Sequence, residues 1–190
     1  MSNALLGSWD GAFRLPPFAQ ISDADFAPAF EAGLAEARAN IAAIAENPDA
    51  PTFANTIDAL ELAEGLLDRV GGVFYNLAGA DSTEARENLQ RDLAPKMSAF
   101  GSEVTNNRAL FARIETLWAG RGALDMTAEQ ARVLQLYRQM FVRSGALLEG
   151  VASERLTAVK SRLAVLGTAF SQTARTSADT TATRGPALAS

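Results

Sequence analysis

The spacing of the apolar residues constrains this chain more than any other feature of its sequence. From Phe26 to Phe170 they recur mainly at intervals of three and four. That interval follows the 3.6-residue turn of an α-helix, and the alternation with period two that marks a half-buried strand is missing. The sequence therefore predicts an all-α fold, an antiparallel bundle or array of helices.

Capping residues and breakers divide this pattern into separate helices. Ser22 stands before Asp23 and Asp25 as an N-cap, and Thr127 with Gln130 forms a capping box. The predicted helical stretches are 22–47, 52–77, 82–105, 110–118, 127–144 and 156–170.

Glycines and one proline inside these stretches predict irregularities. Gly71-Gly72 weakens the second helix by about 1 kcal/mol per glycine relative to alanine. Their small size would also let another helix approach closely. Pro95 removes a backbone hydrogen bond and predicts a kink in the third helix. Gly120 and Gly122 end the fourth.

The two ends of the chain differ from the helical body. Residues 1–21 are predicted to be an extended N-terminal segment, because Pro16-Pro17 forbids helix there. Its apolar residues are expected to lie against the body, namely Trp9, Phe13, Leu15, Phe18 and Ile21. Residues 173–190 have no periodicity and no aromatic residue, which predicts a disordered tail. Residues 1–172 would then form one helical lobe.

Composition excludes several classes of function. The 190 residues include no histidine and no cysteine, which rules out disulfides, thiol nucleophiles and histidine-dependent catalysis. The net charge of -5 provides no basic stripe for nucleic acid. No stretch approaches the ~18 uninterrupted apolar residues of a membrane span, and the predicted location is the cytoplasm.

No arrangement of side chains identifies a reaction. A His-Glu-x-x-His zinc motif cannot occur, and no calcium-binding loop is present. The carboxylate pairs Glu61/Glu64 and Glu84/Glu87 are predicted to lie on solvated helix faces. Three polar residues are predicted to make buried hydrogen bonds between helices: Asn55, Tyr75 and Asn76. We therefore expect no catalytic, cofactor-binding or metal-binding residue in this chain.

A series of short signatures runs along the chain in a distinctive order. They are WDG at 9–11, LPPF at 15–18, DFAPAF at 25–30, PTFANTI at 51–57, FYNL at 74–77, LFARI at 110–114, FVRSGA at 141–146 and LGTAFSQ at 166–172. Each is short. Together and in this order, they resemble the N-terminal part of the M3 zinc peptidases, especially the peptidyl-dipeptidases and oligopeptidases of that family.

The resemblance implies a fold, an activity and a cofactor for the whole protein. M3 peptidases enclose a deep channel with helices, and a zinc ion held by two histidines and a glutamate of the C-terminal part cleaves peptides there. This chain would be a truncated, inactive N-terminal lobe that walls the channel and limits substrate size. Its partners would be short peptides and the missing catalytic part, and an uncovered apolar face predicts self-association. The alternative is a stand-alone helical module that binds peptides or a protein without catalysis.

The sequence also departs from the family pattern. Asp25 stands where a histidine is usual, and Ala54 where a glutamate is common, both at peripheral positions. After Gln172 the family continues with an asparagine and hundreds of residues, but Thr173 begins the tail here. Codons for Asp-Glu-Arg shifted by one base read Thr-Ser-Ala, as at 176–178. The tail is therefore interpreted as either disordered or a frameshift product.

The lack of imidazole and thiolate ligands predicts that the purified chain holds no stoichiometric zinc and hydrolyses no peptide. Metal analysis of the protein, together with a peptide-cleavage assay in the presence of added zinc, checks this. One tightly held zinc ion per molecule, with turnover that a chelator abolishes, would contradict the prediction.

Overall fold

The computed structural model describes residues 3–152, 154–156, 158–159, 162–163 and 166. It is all-helical, which confirms the predicted fold class, and these residues include no strand. The α-helices are α1 Asp23–Ala45, α2 Ala59–Leu62, α3 Gly65–Ala80, α4 Glu84–Thr105, α5 Arg108–Gly120 and α6 Ala128–Arg143. The chain divides into two compact units, Met1–Ala146 and Leu147–Ser190.

Side-chain caps begin the helices close to the predicted positions. At α1, a carboxylate oxygen of Asp25 accepts a hydrogen bond of 2.8 Å from the backbone N–H of Ser22. This bond is the main reason why the pKa of Asp25 is lowered. At α6, Thr127 Oγ1 accepts from the N–H of Gln130, whose side chain accepts in return from the N–H of Thr127. Each cap is worth about 1 kcal/mol because it satisfies an N–H that the helix leaves without a partner.

The second predicted helix is interrupted, and the prediction of one continuous stretch from Thr52 was wrong. A π-helical turn, Phe53–Asp58, leads into α2, and α3 begins only at Gly65. At the break, Asn40 Nδ2 donates to the carbonyl oxygen of Ala63 at 3.0 Å. That carbonyl is therefore satisfied from α1 instead of by a continuing helix. The helix passes without interruption through Gly71-Gly72, where the weak point was predicted.

The closest approach between helices involves a different glycine. A Cβ added to Gly33 of α1 would lie 3.0 Å from the Cα of Leu67 in α3. Farther along the same two helices, Phe74 packs edge-to-face against Phe26 and Phe30, with ring centroids 5.1 and 5.4 Å apart. All three rings are fully buried, and each such side chain contributes about 1.5–3 kcal/mol through burial. The α1–α3 contact is the centre of the core.

Contacts between side chains define the relative directions of the helices. Phe26 and Phe30 meet Phe74 while Gly33 meets Leu67, so α1 and α3 are antiparallel. α1 and α4 are parallel, since the ion pairs Asp23–Arg86, Glu31–Lys96 and Arg38–Glu103 follow one another along both helices. α5 and α6 are antiparallel, with Glu115 bound to Arg138 and Phe111 stacked on Phe141. Exposed ion pairs contribute only about 0–1 kcal/mol each, so these pairs mark the helix register more than they stabilise it.

The N-terminal segment is docked at its first residues but not along its whole length. Leu5 is fully buried, and its carbonyl oxygen accepts a hydrogen bond of 2.9 Å from Arg69. The guanidinium of Arg69 also lies 4.9 Å from the ring centroid of Trp9. Phe13, by contrast, is 94% exposed. The expectation that every apolar residue here lies against the body was wrong for three residues, which are Phe13, Leu15 and Phe18.

The same segment is not uniformly extended. It contains 3₁₀ turns at Ala12–Arg14 and Phe18–Gln20, on either side of the two prolines. Phe13 and Arg14 have φ of 58° and 54°, in the left-handed region that non-glycine residues seldom adopt. Proline fixes φ only at its own position and restricts the residue before it, which leaves room for these turns.

In the second unit, the described residues from Gly150 to Leu166 are helical, in agreement with the start of the last predicted stretch. Phe170 and the predicted tail at 173–190 lie outside the described residues. In the part of the chain that the structure describes, no helix is long and apolar enough to cross a membrane.

The close contact at Gly33 predicts that Gly33→Ala destabilises the protein by about 1–3 kcal/mol, because the new methyl group meets the backbone of Leu67 and not a flexible side chain. Gly72→Ala is the matched control: the added Cβ meets nothing within 4 Å, and alanine should stabilise this helix by roughly 0.5–1 kcal/mol. Urea unfolding of both variants measures the difference. Equal stabilities would show that α1 can move away from α3 at little cost.

Candidate functional surface

Within the described ranges, no group of three or more Asp, Glu, His or Cys side chains is arranged to hold a metal ion. Glu84 and Glu87 are both exposed on α4, as expected for a solvated pair. Glu87 accepts a hydrogen bond from Ser82 in the preceding turn. The expectation that this chain contains no catalytic, cofactor or metal residue remains a prediction.

The other carboxylate pair lies in a less solvated place. Glu61 is exposed, but Glu64 is partly buried at the junction of α2 and α3. Burial raises the pKa of Glu64, and the nearby carboxylate of Asp68 raises it further. Tyr137 approaches from α6, and burial followed by its hydrogen bond to Glu61 raises the pKa of its hydroxyl. The prediction of a solvated face therefore holds for Glu61 but not for Glu64.

A buried arginine links α5 to the loop before α2. Arg113 is 7% exposed, and its Nη1 donates to the carbonyl oxygens of Asn47 and Asp49 at 2.8 and 3.0 Å. Its Nη2 donates to Asn55 Oδ1 at 2.9 Å. The amide of Asn55 also accepts from the N–H of Thr52. A guanidinium is suited to this role because its donors are fixed in one plane and stay charged.

The three residues that were predicted to make buried hydrogen bonds between helices lie in different environments. Asn55 connects the π-helical turn to α5 through Arg113, as predicted. Tyr75 is 44% exposed, and its ring packs on Phe30 and Phe74. Asn76 is also exposed, so the buried position predicted for these two residues was wrong. Tyr75 and Asn76 follow the buried Phe74 by one and two residues, and a helical period turns both positions away from the buried face of α3.

Two surface clefts accompany these features. One, of about 130 Å³, lies between α1, α4 and the start of α5. It contains Arg38, which binds both carboxylate oxygens of Glu103 at 2.7 and 3.2 Å and lowers the pKa of that group. The guanidinium is thus already neutralised by its neighbour. The other cleft, of about 560 Å³, lies where α5 ends and α6 begins, beside Trp118 and Arg121.

Comparison with known proteins gives two curated relatives and no matching family model. The dipeptidyl carboxypeptidase of Salmonella typhimurium is 33% identical over 171 residues, which cover 90% of this chain. The dipeptidyl carboxypeptidase of Escherichia coli is 34% identical over 160 residues, 84% of this chain. The chain spans only about a quarter of the length of these relatives, 25% and 24%.

The matched region is the N-terminal quarter of each relative, so the fold described above corresponds to a helical segment of these two proteins. These relatives are M3-family peptidyl-dipeptidases, and the chain is homologous to their N-terminal part. The resemblance to M3 peptidases, confined to an N-terminal helical region, is thereby confirmed.

Glu64 predicts a pH dependence of stability. Its pKa in the folded chain lies above the ordinary value of 4.5, so the folded state binds the proton more tightly than the unfolded state. The stability from this group is complete below the unfolded pKa and is lost as pH rises through the folded pKa. Glu64→Gln should therefore unfold at higher urea than the parent at pH 7, and this gain should vanish below about pH 4, where the carboxyl is protonated in both states.

Glu36, which is exposed in the middle of α1, supplies the control for this measurement, since Glu36→Gln carries the same change of charge away from the helix ends. The free energy of unfolding of Glu36→Gln should follow the parent across the whole pH range. If both variants gained the same stability at pH 7, the gain would come from the change in net charge. That result would contradict a local desolvation of Glu64.

Proposed function

We propose that this chain forms the N-terminal helical lobe of an M3-type zinc peptidase that acts on short peptides. In this role it walls the substrate channel and limits the size of the peptides that enter. The proposal is carried by the identity of 33–34% to the N-terminal quarter of two dipeptidyl carboxypeptidases. Their name supports peptide substrates and a reaction at peptide C-termini for the whole protein.

The zinc of such a peptidase does not fit the residues of this chain. Histidine and cysteine are missing from the whole sequence, and the described carboxylates do not converge on a common point. A catalytic zinc ion normally takes three protein ligands and keeps one open position. We therefore assign the zinc site to other parts of the peptidase, and no step of hydrolysis to this chain.

A wall that selects by size must resist displacement, and the internal contacts of the lobe suit that requirement. The backbone contact of Gly33 with Leu67 and the three bonds of Arg113 oppose sliding of the helices. The outer surface retains large apolar side chains, among them Leu62, Leu136 and Met140. These are suited to contact the rest of the peptidase in the cytoplasm, and in its absence they favour self-association.

A stand-alone binding module is the second candidate. It is favoured by the cleft between α5 and α6, where an indole and arginine side chains face solvent together. Such a module would bind without the channel. The two candidate functions have different requirements. The lobe acts only together with a catalytic part, whereas the binding module acts without one.

A chimera tests the lobe directly. The matched N-terminal region of the Escherichia coli dipeptidyl carboxypeptidase is replaced by residues 3–172 of this chain, and cleavage of a short peptide is compared with cleavage of an unfolded protein. The chimera should cleave the short peptide and, like the parent enzyme, discriminate against the long substrate. The channel is expected to be restored because homologous helices present the same surfaces to the catalytic part.

The same enzyme without its N-terminal region serves as the control and should lose this discrimination or its activity. The proposal of a gate fails if the chimera is folded and active but cleaves long and short substrates at the same rate. The proposal of a lobe fails if this chain, in the chimera, does not support activity at all.

A further inference from the structure

The cleft between the end of α5 and the start of α6 has an apolar floor. Trp118 is half-buried there, Leu134 is fully buried, and Met126 from the connecting loop closes one side. The complete lining is Trp118, Arg121, Met126, Ala128, Ala131, Arg132, Leu134 and Gln135. At about 560 Å³ the cleft lies within the size range of small-molecule sites.

The guanidinium of Arg121 lies over the indole of Trp118. Arg121 Cζ lies 4.1 Å from the ring centroid, and Arg121 Nη1 donates to the carbonyl oxygen of Trp118 at 2.6 Å. These two contacts restrain the side chain beside the cleft. The hydrogen bond uses Nη1, and the donors on Nε and Nη2 form the other fork of the guanidinium, which matches a planar anion.

A second cation on the same cleft also lacks a carboxylate partner. Arg132 Nη1 donates at 2.9 Å to the neutral amide oxygen of Gln135. The ion pairs among the described residues include neither Arg121 nor Arg132. Arg138, on the far side of Trp118, differs because Glu115 neutralises it through two hydrogen bonds. The positive charge of the cleft therefore lies on Arg121 and Arg132, the two arginines that line it.

An apolar floor beside two arginines selects a particular ligand chemistry. Inorganic phosphate would contact the arginines but leave the exposed parts of Trp118 and Met126 uncovered. An uncharged apolar molecule would cover the floor and leave the guanidinium edges without acceptors. A carboxylate attached to an apolar group satisfies both, since its two oxygens match the fork of an arginine.

We propose that this cleft is a binding site for small apolar carboxylates, with the anion held by Arg121 and Arg132 and the apolar group resting on Trp118, Met126 and Ala131. The C-terminal residue of a peptide and a free aliphatic acid both have this chemistry. The proposal does not rest on the proposed channel wall, because it is argued only from residues of α5, α6 and their connection.

The fluorescence of Trp118 reports on the site in the whole chain. The chain has two tryptophans, so Trp9→Phe leaves Trp118 as the sole indole. N-acetyl-leucine should change this emission saturably, and N-acetyl-leucine amide and inorganic phosphate should not. The tetrapeptide Ala-Ala-Ala-Leu and hexanoate distinguish the two sources: tighter binding of the peptide indicates a peptide terminus, and tighter binding of hexanoate indicates a free acid.

Variants of the arginines complete the test. Arg121→Gln and Arg132→Gln should each weaken binding of N-acetyl-leucine at least about tenfold, the loss of one charge-assisted contact. Arg121→Lys should keep only part of the affinity that Arg121→Gln loses, because lysine keeps the charge but not the planar fork of donors. Arg108→Gln, an exposed residue at the other end of α5, is the matched control and should bind as the parent does.

Equal binding of the acid and its amide would overturn the assignment of a carboxylate. If Arg108→Gln and Arg121→Gln weakened binding equally, net charge alone would explain the loss, and the proposed site would be overturned. A lack of saturation with every probe would also overturn it. None of these results bears on the chimera, whose readout is the size of substrate, so failure here is distinct from failure of the lobe.

Discussion

The contact of Gly33 with Leu67 is the constraint on which the rest of the lobe depends. It brings α1 within backbone distance of α3, and only at that distance do Phe26 and Phe30 meet Phe74 edge-to-face. α4 in turn takes its place from α1, through ion pairs that are mostly exposed and individually weak. Apolar burial at the α1–α3 seam therefore provides the stability, and the charges along α4 select one register.

Interactions that are local in sequence could be predicted, and they explain why the helix starts were placed well. The capping boxes at Ser22 and Thr127 each connect residues three positions apart. A single sequence contains all the information that such a cap requires. The apolar stripe of α1 is local in the same sense, and its predicted members Phe26, Phe30 and Leu34 are all buried. The homology to M3 peptidases likewise followed from short signatures in their order.

Interactions between distant residues could not be predicted, and several of the errors trace to them. The break between α2 and α3 depends on Asn40, which lies 23 positions before the carbonyl it binds. The glycine that matters for close packing is Gly33, because its partner happens to be the backbone of Leu67; Gly71 and Gly72 look equivalent in sequence. Glu64 was expected to be solvated, but it is partly buried at the junction of α2 and α3, a junction that periodicity did not reveal. The cleft at Trp118 requires the ends of α5 and α6 together, which no periodicity reveals.

The proposed channel wall would act through its shape and charge, so the contacts that hold the lobe together matter to that proposal. Arg113 is an example: it is nearly buried, and its hydrogen-bond partners are carbonyl and amide oxygens with no carboxylate among them. Such an arrangement fixes the loop before α2 at the cost of desolvating a cation, and the buried Nε has no partner among the described residues. This unfavourable desolvation accompanies hydrogen bonds that hold the loop before α2, and the surface around it, in place. A rigid surface is what substrate exclusion requires, since a wall that yields by a few ångströms no longer distinguishes a short peptide from a long one.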